Sequence, residues 1–431
     1  EMCIRDRGML ELLNTFLWGT GTLTLILGTG AWLTLRTGAF PQHHLWQALA
    51  WALGRKARRK GKNGVSPFGS LMTALASTVG TGNIVGVASA VAVGGAGAVF
   101  WMWAGALLGM MLKFGEAALA VKYPSGAMGY IEHAFGGRRA SLFWCGCCVL
   151  ASFGTGNMVQ TNAAAGICKS SFGAPPPVVG AAIAVLAAAV LFRGARAVTK
   201  TASVLVPLMA ALYIIGCTAL LFICRQRLPA AVASIFSEAF TPSAAGGGAA
   251  GLLTSKALQI GIARGTFTNE AGMGSASLAH AESSGTPAEQ GCWGIVEVFL
   301  DTVVCCTLTA LAILSADISP LGENAAEVAF GKYFGGAGSA FLALSMFFFA
   351  LAAVMGWAFY GEKALGYITK SKKALIFYRV LFCVCAAAGA VLSLPAVWNL
   401  SDIFNGLMIF PNVAALLVLK SEILSTAKGA G

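Results

Sequence analysis

Long, continuously apolar segments recur along the chain from Leu12 to Leu419, and short polar or charged segments separate them. A helix needs roughly 20 residues to cross the hydrocarbon of a bilayer, and about eleven segments have that length. Strands of a membrane barrel would alternate apolar and polar positions, which these segments do not do. The pattern predicts an all-α polytopic membrane protein with spans near 12–35, 68–92, 97–121, 140–167, 176–192, 203–224, 250–279, 291–315, 337–361, 376–394 and 399–419.

Composition agrees with a location in the lipid bilayer. Of the 431 residues, 57% are hydrophobic and only 11% are charged, which exceeds what a water-soluble core needs. The net charge of +12 does not indicate a nucleic-acid partner, because most basic residues lie in alternate polar segments, as the positive-inside rule describes. We expect a multi-pass protein of a bacterial inner membrane with its N-terminus outside and its C-terminus in the cytoplasm. The basic residues assigned to the cytoplasmic face are Arg36, Arg55, Lys56, Arg58, Arg59, Lys60, Lys62, Lys113, Lys122, Arg138, Arg139, Arg193, Arg196, Lys200, Lys363, Lys370, Lys372, Lys373, Arg379, Lys420 and Lys428.

Two of the predicted spans are interrupted by glycines and polar residues, at 76–86 in the second and 265–275 in the seventh. Glycine lowers the cost of leaving helical geometry, and freed backbone groups are tolerated at membrane depth only where they line a cavity or face protein. The N–H end of a broken helix suits a carboxylate, and its carbonyl end suits an ammonium group or a sodium ion. These are the two ends of a zwitterionic amino acid. The alternative is that the glycines only allow close helix packing.

The spacing of the two interrupted spans favours a substrate site. They lie five spans apart, which is where a five-plus-five inverted repeat places equivalent helices. We therefore predict one transmembrane transporter domain over 1–431, with a first repeat at 66–225, a second repeat at 250–420 and an extra N-terminal helix at 9–36.

Several sequence blocks resemble the alanine/glycine:cation (sodium:alanine) symporter family. They are STVGTGNIVGVASAV from Ser77, GGAGAVFWMWAGALLGMMLKFGEAALAVKY from Gly94, GTGNMVQTNA from Gly154, GTFTNEAGMGSASLAHA from Gly265, VEVFLDTVVCCTLTALAIL from Val296 and GWAFYGEK from Gly356. They occur in family order over nearly the whole chain. The resemblance implies a leucine-transporter-type fold of the APC superfamily and sodium- or proton-coupled uptake of alanine or glycine, without an organic cofactor.

The resemblance also implies which residues bind the substrate. The second-span break would receive the substrate carboxylate on its N–H groups, Gln160 would face the same cavity, and Trp357 would limit the side-chain pocket. Glu270 is either a partner for a cation or ammonium group or a cap on the second half-helix of the seventh span. The substrate-binding residues so implied are Gly80, Thr81, Gly82, Asn83, Gln160, Thr268, Asn269, Glu270, Met273 and Trp357.

The chain departs from the family pattern at Ala352 and Ala353, where we expect two hydroxyl side chains that help to coordinate sodium. A hard cation needs several oxygen ligands, so sodium coupling would rest on carbonyls of Ala76, Val79 and Ala350 with Thr78, or on a position nearer Thr78, Asn83 and Asn269. A proton is the alternative coupling ion. The candidate residues for binding the proton are Glu297 and Asp301 in the eighth span. Burying an ionisable group at membrane depth is costly, so such a residue is a candidate for a functional role. The alternative is that either residue pairs with a neighbouring helix or with Arg264.

Other functions are less consistent with the sequence. No nucleophile, base or metal constellation of an enzyme is visible, so we predict that the protein is not an enzyme. A sensor or degenerate homologue that binds an amino acid without transporting it is the remaining alternative, and the two alanines are the feature that supports it. The sequence does not indicate an oligomeric state.

Overall fold

The computed structural model describes residues 12–54, 65–240, 255–319, 321–392 and 395–430, and these residues are helical apart from short connections. Six of the basic residues assigned to the cytoplasmic face, between Arg55 and Lys62, lie outside the described residues. The α-helices, in chain order, are α1 Thr20–Arg36, α2 Phe40–Leu53, α3 Pro67–Thr78, α4 Val85–Gly94, α5 Gly97–Lys122, α6 Ala127–Phe135, α7 Arg138–Phe153, α8 Val159–Phe172, α9 Pro176–Leu191, α10 Ala195–Ile223, α11 Leu228–Ala239, α12 Lys256–Asn269, α13 Ser277–His280, α14 Pro287–Val298, α15 Thr307–Ser315, α16 Ala325–Phe334, α17 Gly336–Ile368, α18 Lys372–Gly389, α19 Pro395–Val418 and α20 Lys420–Ala430.

Within the described residues, seven helices are long and apolar enough to cross a membrane, and an eighth is added if the bent pair α3 and α4 counts as one span. The predicted total of eleven also includes α9, α12 and α18. Helix α9 has 16 residues and α12 has 14, both short of a full crossing, while α18 carries Lys372, Lys373 and Arg379. The all-helical membrane architecture is confirmed, and the number eleven stays a prediction.

Local sequence signals set the starts of the helices that form the site. Ser66 accepts a hydrogen bond from the Gly69 N–H at 3.1 Å, so it caps α3. Ser255 does the same for α12, and Thr286 with Glu289 forms a capping box at the start of α14. These contacts satisfy N–H groups that a helix start leaves without an intrahelical partner.

The broken helices lie inside the bundle. Helix α5 packs along α12 and α14, and α17 packs along α7 and α8 and reaches α3. Helix α3 also packs against α10. Both breaks are thereby enclosed by long helices, which is the condition under which irregular backbone is stable at membrane depth.

Candidate functional site

The break in the second span is an observed interruption of the helix. Helix α3 ends at Thr78, a single 3₁₀ turn covers Thr81–Asn83, and α4 continues at an angle of 61°. The Asn83 side-chain oxygen accepts a hydrogen bond from the Gly80 N–H at 2.9 Å, and the Gln160 side-chain oxygen accepts one from the Thr81 N–H at 3.0 Å. Two N–H groups of the break therefore face neutral oxygens of the protein's own amide side chains.

Gln160 is positioned by a second irregular segment that the sequence patterns did not predict. Between α7 and α8 the backbone forms a π-helix over Gly154–Met158, and the Thr155 carbonyl there accepts a hydrogen bond from the Gln160 side chain at 3.0 Å. Single π turns inside helices frequently mark functional sites. The feature of the sequence that could have indicated this irregular segment is the pair of glycines in Gly154-Thr155-Gly156.

Trp357 packs against this π-helix. A Cβ atom on Gly156 would lie 2.1 Å from Trp357 Cγ, so only glycine allows the indole to sit there. Trp357 is 2% exposed and contacts Tyr360 edge-on, with ring centroids 5.7 Å apart. The Tyr360 hydroxyl accepts a hydrogen bond from Ser77 at 2.7 Å. The structure thus brings Trp357 and Gln160 to the same π-helix, beside α3.

The break in the seventh span follows directly after Asn269. Glu270 has left-handed backbone geometry (φ 55°) and ends α12, and Gly272 and Gly274 have φ of 91° and 80°. The prediction that Glu270 caps the second half-helix is wrong: it is the C-cap of the first half, where its left-handed φ turns the chain, and its carboxylate accepts a hydrogen bond from Ser275. The Met273 carbonyl accepts one from the Trp144 indole at 2.9 Å.

Asp301 connects the two breaks. Its Oδ1 accepts a hydrogen bond from the Asn83 side chain at 2.7 Å, and its Oδ2 accepts one from Thr302 at 2.8 Å. Thr302 in turn accepts one from the Asn269 side chain at 3.0 Å. All four residues are 0–1% exposed, and among the described residues Asp301 has no basic side chain within ion-pair distance. The buried carboxylate therefore accepts from Asn83 of the second-span break and from Thr302, and Thr302 links it to Asn269 at the seventh-span break.

The breaks also approach each other directly. A Cβ atom on Gly82 would lie 2.9 Å from Thr268 Cγ2, so the 3₁₀ turn and the end of α12 are in van der Waals contact. Glycine at this position allows that approach.

The predicted sodium ligands lie where α3 meets α17. Gly356 packs against the backbone of Ser77, and Gly80 approaches Ala353. The Thr78 hydroxyl donates to the Ala74 carbonyl at 3.2 Å, which leaves its oxygen free to accept. The side chains of Ala76, Val79, Ala350, Ala352 and Ala353 are buried and carry no oxygen, so only backbone carbonyls of these residues could serve as ligands.

Sequence patterns missed Glu116 of α5. Its Oε1 accepts hydrogen bonds from the Gly272 N–H at 2.9 Å, the Gly274 N–H at 3.1 Å and the Asn412 side chain at 2.7 Å. Successive N–H groups in a left-handed turn form a concavity that binds anions. The positively polarised groups of the seventh-span break therefore hold a carboxylate of the protein itself. The signal was a charged residue within the apolar segment MMLKFGEAALA.

Glu297 is not a free ionisable group. Its Oε1 lies 3.1 Å from Lys113 Nζ and its Oε2 lies 3.2 Å from His280 Nε2, with the three side chains 0–1% exposed. The neighbouring-helix alternative is thus confirmed for Glu297, and Arg264 instead lies over the Phe267 ring. The assignment of Lys113 to the cytoplasmic flank is wrong, because the side chain points into the bundle to neutralise Glu297.

Comparisons with known proteins support the family resemblance. The model of the sodium:alanine symporter family matches residues 5–429. An uncharacterized transporter of Haemophilus influenzae is 38% identical over 97% of this chain and 95% of its own length. The sodium/alanine symporter AgcS of Methanococcus maripaludis is 37% identical over 97% of this chain and 96% of its own length. A probable sodium/glutamine symporter, GlnT of Bacillus subtilis, is 34% identical over 96% and 88%.

Solved structures show the same fold. MhsT in complex with L-phenylalanine superposes with a TM-score of 0.60 at 17% identity, over 85% of this chain and 99% of MhsT. The manganese transporter of Eremococcus coleocola gives a TM-score of 0.54 at 14% identity, over 83% and 77%. These structural similarities support the leucine-transporter-type architecture. The assignment to a family rests on the match to the family model over nearly the whole chain. The chain belongs to the sodium:alanine symporter family and is a multi-pass membrane transporter, not an enzyme.

Proposed function

We propose that the protein is a symporter for a small neutral amino acid, alanine or glycine. The observation that carries this proposal is the buried network through Asp301, which connects the two helix breaks and provides oxygen ligands between them. Relatives that are named for a substrate include a sodium/alanine symporter and a probable sodium/glutamine symporter. We choose the smaller substrates because Trp357 packs on Gly156 of the π-helix that also holds Gln160, where its indole would limit the room for a long side chain.

The orientation of the substrate follows from how the breaks are occupied. Glu116 holds the N–H groups of Gly272 and Gly274, so we place the substrate carboxylate at the other break, on the N–H groups of Gly80, Thr81 and Gly82. There it would replace the amide oxygens of Asn83 and Gln160. A charged acceptor makes roughly twice as strong a hydrogen bond as a neutral one, which favours the replacement.

The ammonium group of the substrate is assigned to the end of α12. Thr268 and Asn269 supply a hydroxyl, an amide oxygen and carbonyls that no longer continue a helix. The Glu270 carboxylate accepts a hydrogen bond from Ser275, and the Met273 carbonyl accepts one from Trp144. We therefore assign Glu270 and Met273 to stabilising the seventh-span break. The N–H groups of the second-span break and the oxygens at the end of α12 together form a site for a zwitterion.

The coupling cation is placed beside Asp301. The Asp301 carboxylate and the Thr302 hydroxyl that contacts it are oxygen ligands of the type that a hard cation prefers. The alternative position, on carbonyls of Ala76, Val79 and Ala350 with Thr78, lacks the two hydroxyls that alanines replace at 352 and 353. We therefore propose sodium as the coupling ion at Asp301, with a proton on the same carboxylate as the competing possibility.

The deciding experiment measures uptake of labelled alanine into proteoliposomes under an imposed sodium gradient and, separately, under a proton gradient, with glycine, serine and D-alanine as competitors. We expect sodium-driven accumulation. Accumulation driven only by protons would move the coupling role to protonation of Asp301. Alanine binding without flux under either gradient would contradict symport and favour the sensor.

Gly82 provides a test of the carboxylate position. Gly82→Ala places a methyl group 2.9 Å from Thr268 Cγ2, which has to shift the N–H groups that receive the carboxylate. We expect the affinity for alanine to fall roughly tenfold, the equivalent of about 1.4 kcal/mol. The matched control is Gly86→Ala on α4, where an added Cβ meets no atom within 4 Å. Equal affinities of the two variants in a scintillation proximity assay would refute the assignment.

We also propose the topology predicted from the sequence: eleven spans with an inverted repeat, in a bacterial inner membrane, with the N-terminus outside. Lys113 no longer counts toward that orientation because it is buried. The exposed basic residues Arg138, Arg139 and Lys200 still support it. Protease accessibility of a C-terminal tag in inside-out vesicles checks the orientation.

A further inference from the structure

A large groove opens on the flank of the bundle, away from the helix breaks. It has a volume of about 970 Å³ and is lined by α2, α3, α10 and the region around α14. Side chains such as Leu71, Met72 and Val206 form most of its wall. Val204 of α10, which lines the groove, is 68% exposed, and Leu208, which lies outside the lining, is 61% exposed. In a membrane protein such apolar exposure faces lipid tails, so the groove opens toward the bilayer.

The groove is polar at one end only. Arg196 and Lys200 lie one turn apart near the start of α10, with Thr199 and Ser203 beside them. The whole α10 lining, from Arg196 to Ala210, is roughly 21 Å long at 1.5 Å per residue. From Val206 onward the α10 lining carries no charged or hydroxyl side chain. A cationic end followed by an apolar wall matches an amphiphile with an anionic headgroup.

We propose that this groove binds an anionic phospholipid, with its phosphate on Arg196 and Lys200 and an acyl chain along α10. Basic pockets between transmembrane helices are suited to such headgroups, and each basic residue near a membrane surface contributes about 1 kcal/mol to the attraction. A free phosphate would bind only at the cationic end and leave the apolar part of the groove unoccupied. The length and polarity of the groove therefore favour a lipid.

The lipid would contact the helix that carries the second-span break. Helices α3 and α10 meet beside this groove, where the Thr73 hydroxyl donates to Thr199 at 3.2 Å. An acyl chain along α10 would also contact α3 at Leu71, Met72 and Leu75, which line the groove. We expect transport by the protein to be faster in bilayers that contain the anionic lipid, while the binding itself is independent of which substrate is carried.

Lipid binding is measured on the purified full chain by native mass spectrometry in detergent, with phosphatidylglycerol and phosphatidylcholine of the same acyl chains. We expect retention of phosphatidylglycerol, and roughly 30-fold weaker binding in the Arg196→Ala/Lys200→Ala double variant, the equivalent of about 2 kcal/mol. The matched control is Arg193→Ala, an exposed basic residue just before α10 that does not line the groove.

A second pair of variants tests the acyl channel. Ala210→Trp fills the apolar end and should weaken phosphatidylglycerol binding at least roughly tenfold, whereas Leu208→Trp, on the exposed face of the same helix, should not. Equal retention by the double variant and Arg193→Ala would overturn the proposal. So would full competition by water-soluble glycerol phosphate, which has the headgroup without the chain. Alanine uptake by the variants under a sodium gradient shows separately whether the proposed symport survives.

Discussion

Lys113→Met is expected to destabilise the protein by about 3–5 kcal/mol, the usual cost of removing one partner of a buried ion pair. Lys113 and Glu297 are both 0% exposed and lie 3.1 Å apart. Without the lysine, His280 is the one ion-pair partner that Glu297 keeps among the described residues, and its charge has no access to water. The unpaired carboxylate, rather than the lost methylene groups, dominates the cost. Thermal unfolding of the purified protein in detergent measures the effect.

Two further variants make this prediction specific. Lys122→Met, at the end of the same helix, removes a lysine that is 46% exposed and pairs with Glu422, and it should cost less than about 1 kcal/mol. Lys113→Met/Glu297→Leu removes both charges and should recover much of the stability, because a buried pair is often replaceable by apolar residues. If Lys113→Met and Lys122→Met unfold at the same temperature, the buried pair does not stabilise the fold.

Asp301→Asn should reduce sodium-driven alanine uptake at least about 100-fold, which corresponds to about 2.7 kcal/mol and lies within the range for losing a charged hydrogen-bonding partner. The substitution keeps the size of the side chain and an oxygen that can accept from Asn83. It removes the negative charge that the proposed cation site depends on. Initial uptake rates in proteoliposomes, measured over a range of sodium concentrations, give both the rate and the sodium dependence.

The control for Asp301 is an aspartate outside the bundle interior. Asp317 pairs with Arg227, and its side chain is 67% exposed, so Asp317→Asn should leave the sodium dependence unchanged. An Asp301→Asn protein with normal sodium dependence would place the cation elsewhere, at the carbonyls near Ala76 and Ala350. A protein that loses sodium dependence but keeps proton-driven uptake would separate the two ions.

The elements that sequence patterns predicted are those with a local signal. Glycines and polar residues close together in the sequence mark the two helix breaks, and Asp301 is an acidic residue inside an apolar segment. Both could be recognised without any tertiary contact. The structure then brings them together, with Thr302 and Asn269 completing the connection.

The features that sequence patterns missed depend on partners distant in the chain. Lys113 looks like a flanking charge because it follows a long apolar segment, and only Glu297 on α14 explains its burial. The role of Glu116 likewise depends on the left-handed turn at Gly272 and Gly274. The π-helix at Gly154–Met158 has only five residues, too few for its wider turn to change the hydropathy pattern, so hydropathy does not distinguish it from an α-helix.

The hydrogen bond between Gln160 and the Thr81 N–H has a kinetic consequence for the proposed symporter. After it releases its substrate, a symporter has to reorient with an empty binding site. A buried N–H group without an acceptor would cost about 1–3 kcal/mol in that step. Gln160 supplies an acceptor during the return, so the reorientation of the unloaded carrier is not slowed by that cost. The same contact lowers the affinity, because each arriving amino acid has to displace an amide oxygen. In the proposed symporter, Gln160 would thus lower the affinity for the amino acid and raise the turnover rate.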